Sequence, residues 1–241
     1  MSLALLLLGA ALASPVGEPL VDPAVGRIQL RATADGEVIA VRDIQCGSEA
    51  CDGAWEGGGV GLEGQLVLLR GLGVYGGLSQ VSGNLPEAQY LGDGTAWRFG
   101  LRGALPLGRT SLSLAAAARV EVARTEGATL ESGDRQRADS RTAAASVVLA
   151  SGSPRDGITS WIGADIPVWW LHEVLPLGTG VETAPVSLWL LPTTPAALVA
   201  GVSATSDPLT PMWSQPVRAL TGAELRLGGA RAIAAWCGIS F

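Results

Sequence analysis

Lysine is absent from this chain: all 16 of its positive charges are arginine, against 22 acidic residues. With a net charge of −6 and no basic stripe or aromatic platform, nucleic acid is excluded as a partner. Histidine occurs once, at His172, so multi-histidine metal centres and histidine relays are excluded too. The three cysteines, Cys46, Cys51 and Cys237, are too few for a disulfide scaffold. Long apolar runs are missing as well. After the first residues, the best candidates are Val186–Ala204, broken by Pro192 and Pro195, and Trp161–Leu177, which carries Asp165, His172 and Glu173. Neither reads as a membrane helix. Yet 48% of the residues are hydrophobic and the mean hydropathy is +0.34, so the apolar character is spread over short stretches.

Residues 1–13 run from Met1-Ser2 through a leucine- and alanine-rich segment to Ala13, followed by Ser14-Pro15. A short apolar run closed by small residues reads as a secretory signal peptide, although no Arg precedes it. Residues 14–24, with three prolines, read as a linker, and residues 25–241 as one β domain.

Ala96–Val122 shows how that domain is built. Trp97, Phe99, Leu101, Gly103 and Leu105 alternate with Ala96, Arg98, Gly100, Arg102 and Ala104. Beyond Pro106-Leu107-Gly108-Arg109, Leu112, Leu114, Ala116, Ala118, Val120 and Val122 alternate with Ser113, Ala115, Ala117, Arg119 and Glu121. Successive strand side chains leave on opposite faces, so this is a hairpin with one greasy face. Arms of about 10 residues suit strands crossing a bilayer at a tilt. Four consecutive alanines favour helix, but the flanking period of two does not fit a helix face.

The same pattern recurs along the chain. Arg27–Ala32 and Val38–Ile44 form a pair across an expected turn at Asp35-Gly36, and a loop holding Cys46 and Cys51 runs on to Gly59. Val60–Leu68 pairs with Val74–Val81, Arg141–Ala150 with Gly157–Val168, Val186–Leu191 with Ala196–Thr205, and Val217–Leu227 with Ala230–Phe241. Ser82–Asp93 and Thr125–Asp139 read as longer polar loops. The rhythm predicts an all-β, antiparallel up-and-down transmembrane barrel of about 12 strands, with 10 as the alternative. Cys46 and Cys51 are expected to form a small disulfide loop, with a metal site as the alternative, and Cys237 to act as a small hydrophobe.

The chain closes with Ile233, Ala235, Cys237, Ile239 and Phe241 at every second position. This resembles the last strand of Gram-negative outer-membrane β-barrel proteins, which typically ends in Phe. The resemblance implies residence in the outer membrane, contact with its lipids, and insertion by the barrel assembly machinery, with those five residues as its signal. In that family the short turns and both termini share the periplasmic side, whereas a count of twelve puts the termini at the long-loop end. One strand is therefore miscounted, with Val186–Leu191 the foremost suspect, or the loops face the other way.

If the apolar faces meet lipid, the lumen is lined by Arg27, Gln29, Arg31, Glu63, Gln65, Arg98, Arg102, Arg119, Glu121, Asp165, Glu224 and Arg226. Such a lumen serves either as a narrow polar pore or as a plug of paired charges. Trp97, Phe99, Trp169, Trp170, Trp236 and Phe241 are expected in an interfacial girdle. No catalytic residue, metal or cofactor is expected. The expectation is a passive pore or a structural membrane protein. Three alternatives stand beside it: an outer-membrane hydrolase or acyltransferase using His172 with Ser160 or Ser187, a loop-mediated binding or adhesion protein, and a soluble periplasmic β protein.

Overall fold

The computed structural model describes residues 26–46, 49–85, 90–108, 110–129, 135–152, 157–176, 186–188, 196–212, 215–228 and 230–241. Side chains at 39–52 and 169–188 are outside that description, as are residues 1–25 with the expected signal peptide and linker.

Twelve antiparallel segments are present: β1 (Ile28–Cys46), β2 (Glu49–Leu69), β3 (Leu72–Leu85), β4 (Tyr90–Pro106), β5 (Leu112–Thr129), β6 (Arg135–Gly152), β7 (Ile158–Pro176), β8 (Val186–Leu188), β9 (Ala197–Thr205), β10 (Thr210–Met212), β11 (Gln215–Gly228) and β12 (Ala230–Ser240). Each long segment pairs with its sequence neighbour, and β1 pairs with β12, which closes the sheet into a barrel. β8 and β9 both lie against β7, while β9 and β10 both lie against β11. These three short pieces are successive parts of one barrel position, so the wall has ten strands.

Two expected strand breaks account for the difference from twelve. Val186–Leu191 and Ala196–Thr205 are not a hairpin, since both meet the same neighbour, β7. Asp35-Gly36 is not a turn: β1 passes straight through it, with Asp35 opposite Gly59 on one side and Ala234 on the other. A tight turn exposes its Asp to water, but here Asp35 is buried against an arginine, which offsets its desolvation. With ten strands, Gly26 and Phe241 lie at the same mouth as the turns at Arg70-Gly71 and 107–111. Gly26 N–H donates to Val67 O, and Phe241 exchanges two backbone hydrogen bonds with Ile28. The conflict over the termini disappears. Gly71 adopts a φ of 76°, which the two-residue turn between β2 and β3 requires.

The expected loops are shorter than read. Strand pairing includes Cys46 and runs on from Glu49 toward Gly59, and continues through Ser82–Leu85 and Tyr90–Asp93, and through Thr125–Thr129 and Arg135–Asp139. Cys51 sits opposite Ile44 and Cys46 opposite Glu49; the two cysteine side chains lie outside the described residues.

The outer face explains why the strands are so long. On β4, Leu105, Leu101, Phe99 and Trp97 are exposed, and Asp93 follows beyond Thr95. On β5, exposed Leu112, Leu114, Val120 and Val122 give way to Arg124 and Glu126. The apolar band is about 9–11 residues deep, the depth that a tilted strand needs to cross a bilayer. Past it the strands continue with outward ion pairs: Arg124 makes two hydrogen bonds to Asp139, at 2.8 and 3.1 Å, and Arg135 approaches Glu126. Trp97 stands at the edge of the band, in the middle of β4 rather than at its end.

Candidate functional site

Alternation drives every second side chain of this wall into the lumen, and there the polar residues collect. Gln29, Arg31, Glu63, Gln65, Arg98, Arg102, Arg119, Glu121, Asp165, Glu224 and Arg226 are all buried. Arg27 is half-buried at the termini-side rim, where its Nε donates to Ser240 Oγ. Three connected groups form inside.

Arg98 on β4 donates from Nη2 to Asp35 Oδ2 on β1 at 2.6 Å, and from Nε to Glu121 Oε2 on β5 at 2.7 Å. Glu121 is its register partner on the adjacent strand, but Asp35 stands three strands away, so the first contact spans the lumen. Arg102 donates from Nη1 to Glu63 Oε1 at 2.9 Å and to Gln65 Oε1 at 2.7 Å. Its guanidinium carbon lies 3.8 Å from the centroid of the Tyr75 ring. Arg31 reaches the same Glu63 carboxylate at 3.7 Å and donates to Gln29. In the third group Arg119 grips both oxygens of Asp165, at 2.7 and 2.5 Å, in the two-pronged geometry that guanidinium and carboxylate favour. Arg226 approaches Asp165 at 3.2 Å from the other side and Glu224 at 3.8 Å.

Beside these charges lies an apolar cluster of Val67, Ala104, Ala115, Ala117, Val148, Ala150, Trp161, Val199, Leu220 and Trp236. Trp161 and Trp236 stack with ring centroids 6.0 Å apart. Each indole needs a neighbour with no side chain: a Cβ at Gly201 falls 2.2 Å from Trp161 Cζ2, and one at Gly222 falls 2.4 Å from Trp236 Cζ2. Trp236 is therefore a lumen residue, 4% exposed, and not a girdle residue. Its parity, opposite to that of Cys237 and Phe241, carries that information.

Asp35, Glu37, Tyr75 and Trp161 are lumen residues absent from the expected set. The supposed turn at Asp35-Gly36 hid the first two. Extending the β1 alternation from Arg31 through Thr33 finds both.

Among the assembly-signal residues, Ile233, Cys237 and Ile239 face outward, and Phe241 closes the seam on β1. Ser160 and His172 share β7, 12 positions apart, which at about 3.3 Å per residue leaves them too distant to cooperate. Ser187 lies opposite Glu173, and the His172 side chain is outside the described residues. No set of three His, Cys, Asp or Glu side chains among the described residues is placed to hold a metal ion.

Eight strands leave an interior that side chains can fill, and sixteen leave an aqueous channel. Here a ten-strand wall is crossed by arginines long enough to bridge non-adjacent strands.

No protein-family model matches this sequence, and no curated protein matches it. Solved structures do. The translocator domain of the autotransporter NalP from Neisseria meningitidis superposes with a TM-score of 0.51 at 10% identity, over 90% of this chain and 88% of that one. The CymD monoaromatic hydrocarbon channel matches over the same shares at 10% identity, with a TM-score of 0.32. The chain has the fold of the Gram-negative outer-membrane β-barrels, an all-β, closed antiparallel barrel.

Proposed function

We propose that this protein is a structural outer-membrane barrel with a closed lumen, not a passive pore. The contact of Arg98 with Asp35 carries the reading, because it ties β4 to β1 through the space that a solute needs. The Arg119–Asp165–Arg226 group supports it by bridging β5, β7 and β11. On this reading residues 1–13 direct export and are removed. The Ile233–Phe241 pattern serves insertion by the assembly machinery, outer-membrane lipids cover the apolar band, and the extended strand ends form the part outside the bilayer. The reading assigns the barrel no reaction.

Reconstitution into planar bilayers tests the closed lumen. Correctly folded protein is expected to give a silent baseline, and removal of the crossing side chains together, by Arg98→Ala with Arg102→Ala and Arg119→Ala, to give conductance steps. Steady open-state conductance from the unaltered protein overturns the reading. Recovery of the protein in the soluble fraction without detergent overturns the membrane assignment itself.

A further inference from the structure

The arginines that bridge the lumen are not all held in the same way. Arg98 and Arg119 place every hydrogen bond described for them on a carboxylate: on Asp35 and Glu121 for the first, on both oxygens of Asp165 for the second. Arg102 differs, because one of its acceptors, Gln65 Oε1, is a neutral amide. The Arg98 and Arg119 contacts therefore depend wholly on acceptors that a proton neutralises, whereas Arg102 has one that it does not.

The charges facing these contacts come from several strands. β1 supplies Arg31, Asp35 and Glu37, and β2 supplies Glu63. β3 adds Tyr75, β4 adds Arg98 and Arg102, and β5 adds Arg119 and Glu121. β7 contributes Asp165, and β11 contributes Glu224 and Arg226. The described inward side chains of β6, β9 and β12 are serine, threonine, alanine, valine and tryptophan, none of which titrates in the acid range.

Among the described residues, five buried guanidiniums thus share the lumen with six buried carboxyl groups. Arginine stays charged throughout the acid range, while carboxylates take up protons between about pH 5 and 2. Acid therefore turns a nearly balanced interior into one with an excess of buried positive charge. A protonated carboxyl still presents a carbonyl oxygen, but it no longer offsets the desolvated charge of the guanidinium beside it. The wall itself does not respond in this way, since it closes through main-chain hydrogen bonds, which do not titrate.

We infer that the Asp35–Arg98–Glu121 and Arg119–Asp165 contacts form an acid-released gate. Protons added to the three carboxylates free both arginines from their bridging positions and leave a passage lined by guanidinium groups, which selects small anions such as chloride. Return to neutral pH removes those protons and restores the contacts. The inference rests on the closed-lumen reading, since only a closed barrel has a gate to release.

Single-channel recording in planar bilayers under a KCl gradient tests it. The unaltered protein is expected to be silent at neutral pH and to give reversible steps at about pH 3, with a reversal potential on the chloride side. Asp35→Asn, Glu121→Gln and Asp165→Asn in one chain remove the same charges without acid, and this variant is expected to conduct at neutral pH. Asp139→Asn, on the outer face, is expected to behave as the unaltered protein does. Steps from the unaltered protein at neutral pH overturn the closed-lumen reading and the gate with it. Silence at both pH values overturns the gate alone. So do acid-induced steps that are cation-selective, that persist on return to neutral pH, or that accompany loss of the strand signal in circular dichroism. Silence of the folded triple variant at neutral pH overturns the assignment to these carboxylates. Should that variant fail to fold, the pH titration and reversal potential of the unaltered protein decide.

Discussion

Arg98 and Asp35 are separated by 63 residues in sequence and by three strands around the wall, yet their side chains meet at 2.6 Å in the middle of the barrel. Both are buried, so the contact is one that water does not screen. Removing one partner is then costly in a way that removing the whole group is not. Arg98→Ala strands Asp35 and Glu121 together, and a loss of about 3–5 kcal/mol is expected in urea unfolding from lipid vesicles. Replacing Arg98, Asp35 and Glu121 together by Met, Leu and Leu is expected to recover most of that loss. Equal losses in the single and triple variants contradict the account.

Asp165 holds two guanidiniums, Arg119 through both oxygens and Arg226 through one. Arg119→Lys keeps the charge but cannot make the parallel pair of bonds. It is expected to destabilise by about 1–2 kcal/mol, while Asp165→Asn, which leaves Arg119 without its carboxylate and Arg226 with Glu224 alone, costs about 3 kcal/mol or more. Chemical unfolding of the two variants checks the order.

The indoles of Trp161 and Trp236 lie on Gly201 and Gly222. Gly201→Ala is expected to cost about 1–3 kcal/mol by overpacking. In Trp161→Ala the same substitution is expected to be close to neutral, because the clash is gone. A double-mutant cycle measures this coupling, and additive effects refute the contact.

Leu101 and Val120 face outward within the apolar band. Arginine at either position is expected to cost about 2–4 kcal/mol when the protein folds into vesicles. Leu107→Arg, in the exposed turn after β4, is expected to change stability by less than about 0.5 kcal/mol. The contrast tests the depth of the band directly.

Much of this molecule is written in its period-two pattern. The faces of Ala96–Val122 could be assigned residue by residue, because a strand side chain has only two directions and the apolar set must meet a nonpolar medium. The same rule placed Arg98, Arg102, Arg119 and Glu121 in the lumen. It failed where local turn chemistry was allowed to override it, at Asp35-Gly36, and where an aromatic residue near a chain end was assumed to face the interface, at Trp236.

Which carboxylate answers which arginine was not legible, since Arg98 finds Asp35 only when closure brings β1 opposite β4. Nor was the strand count. Prolines at 192 and 195 signal a break in the chain, but whether the break reverses direction or merely interrupts a strand depends on which neighbour receives the next residues, and β7 receives both. Sequence alone thus determined the two faces, because alternation is a local consequence of the extended backbone. The tertiary structure alone decided ten strands and a bridged lumen, because register and closure set which residues share a level.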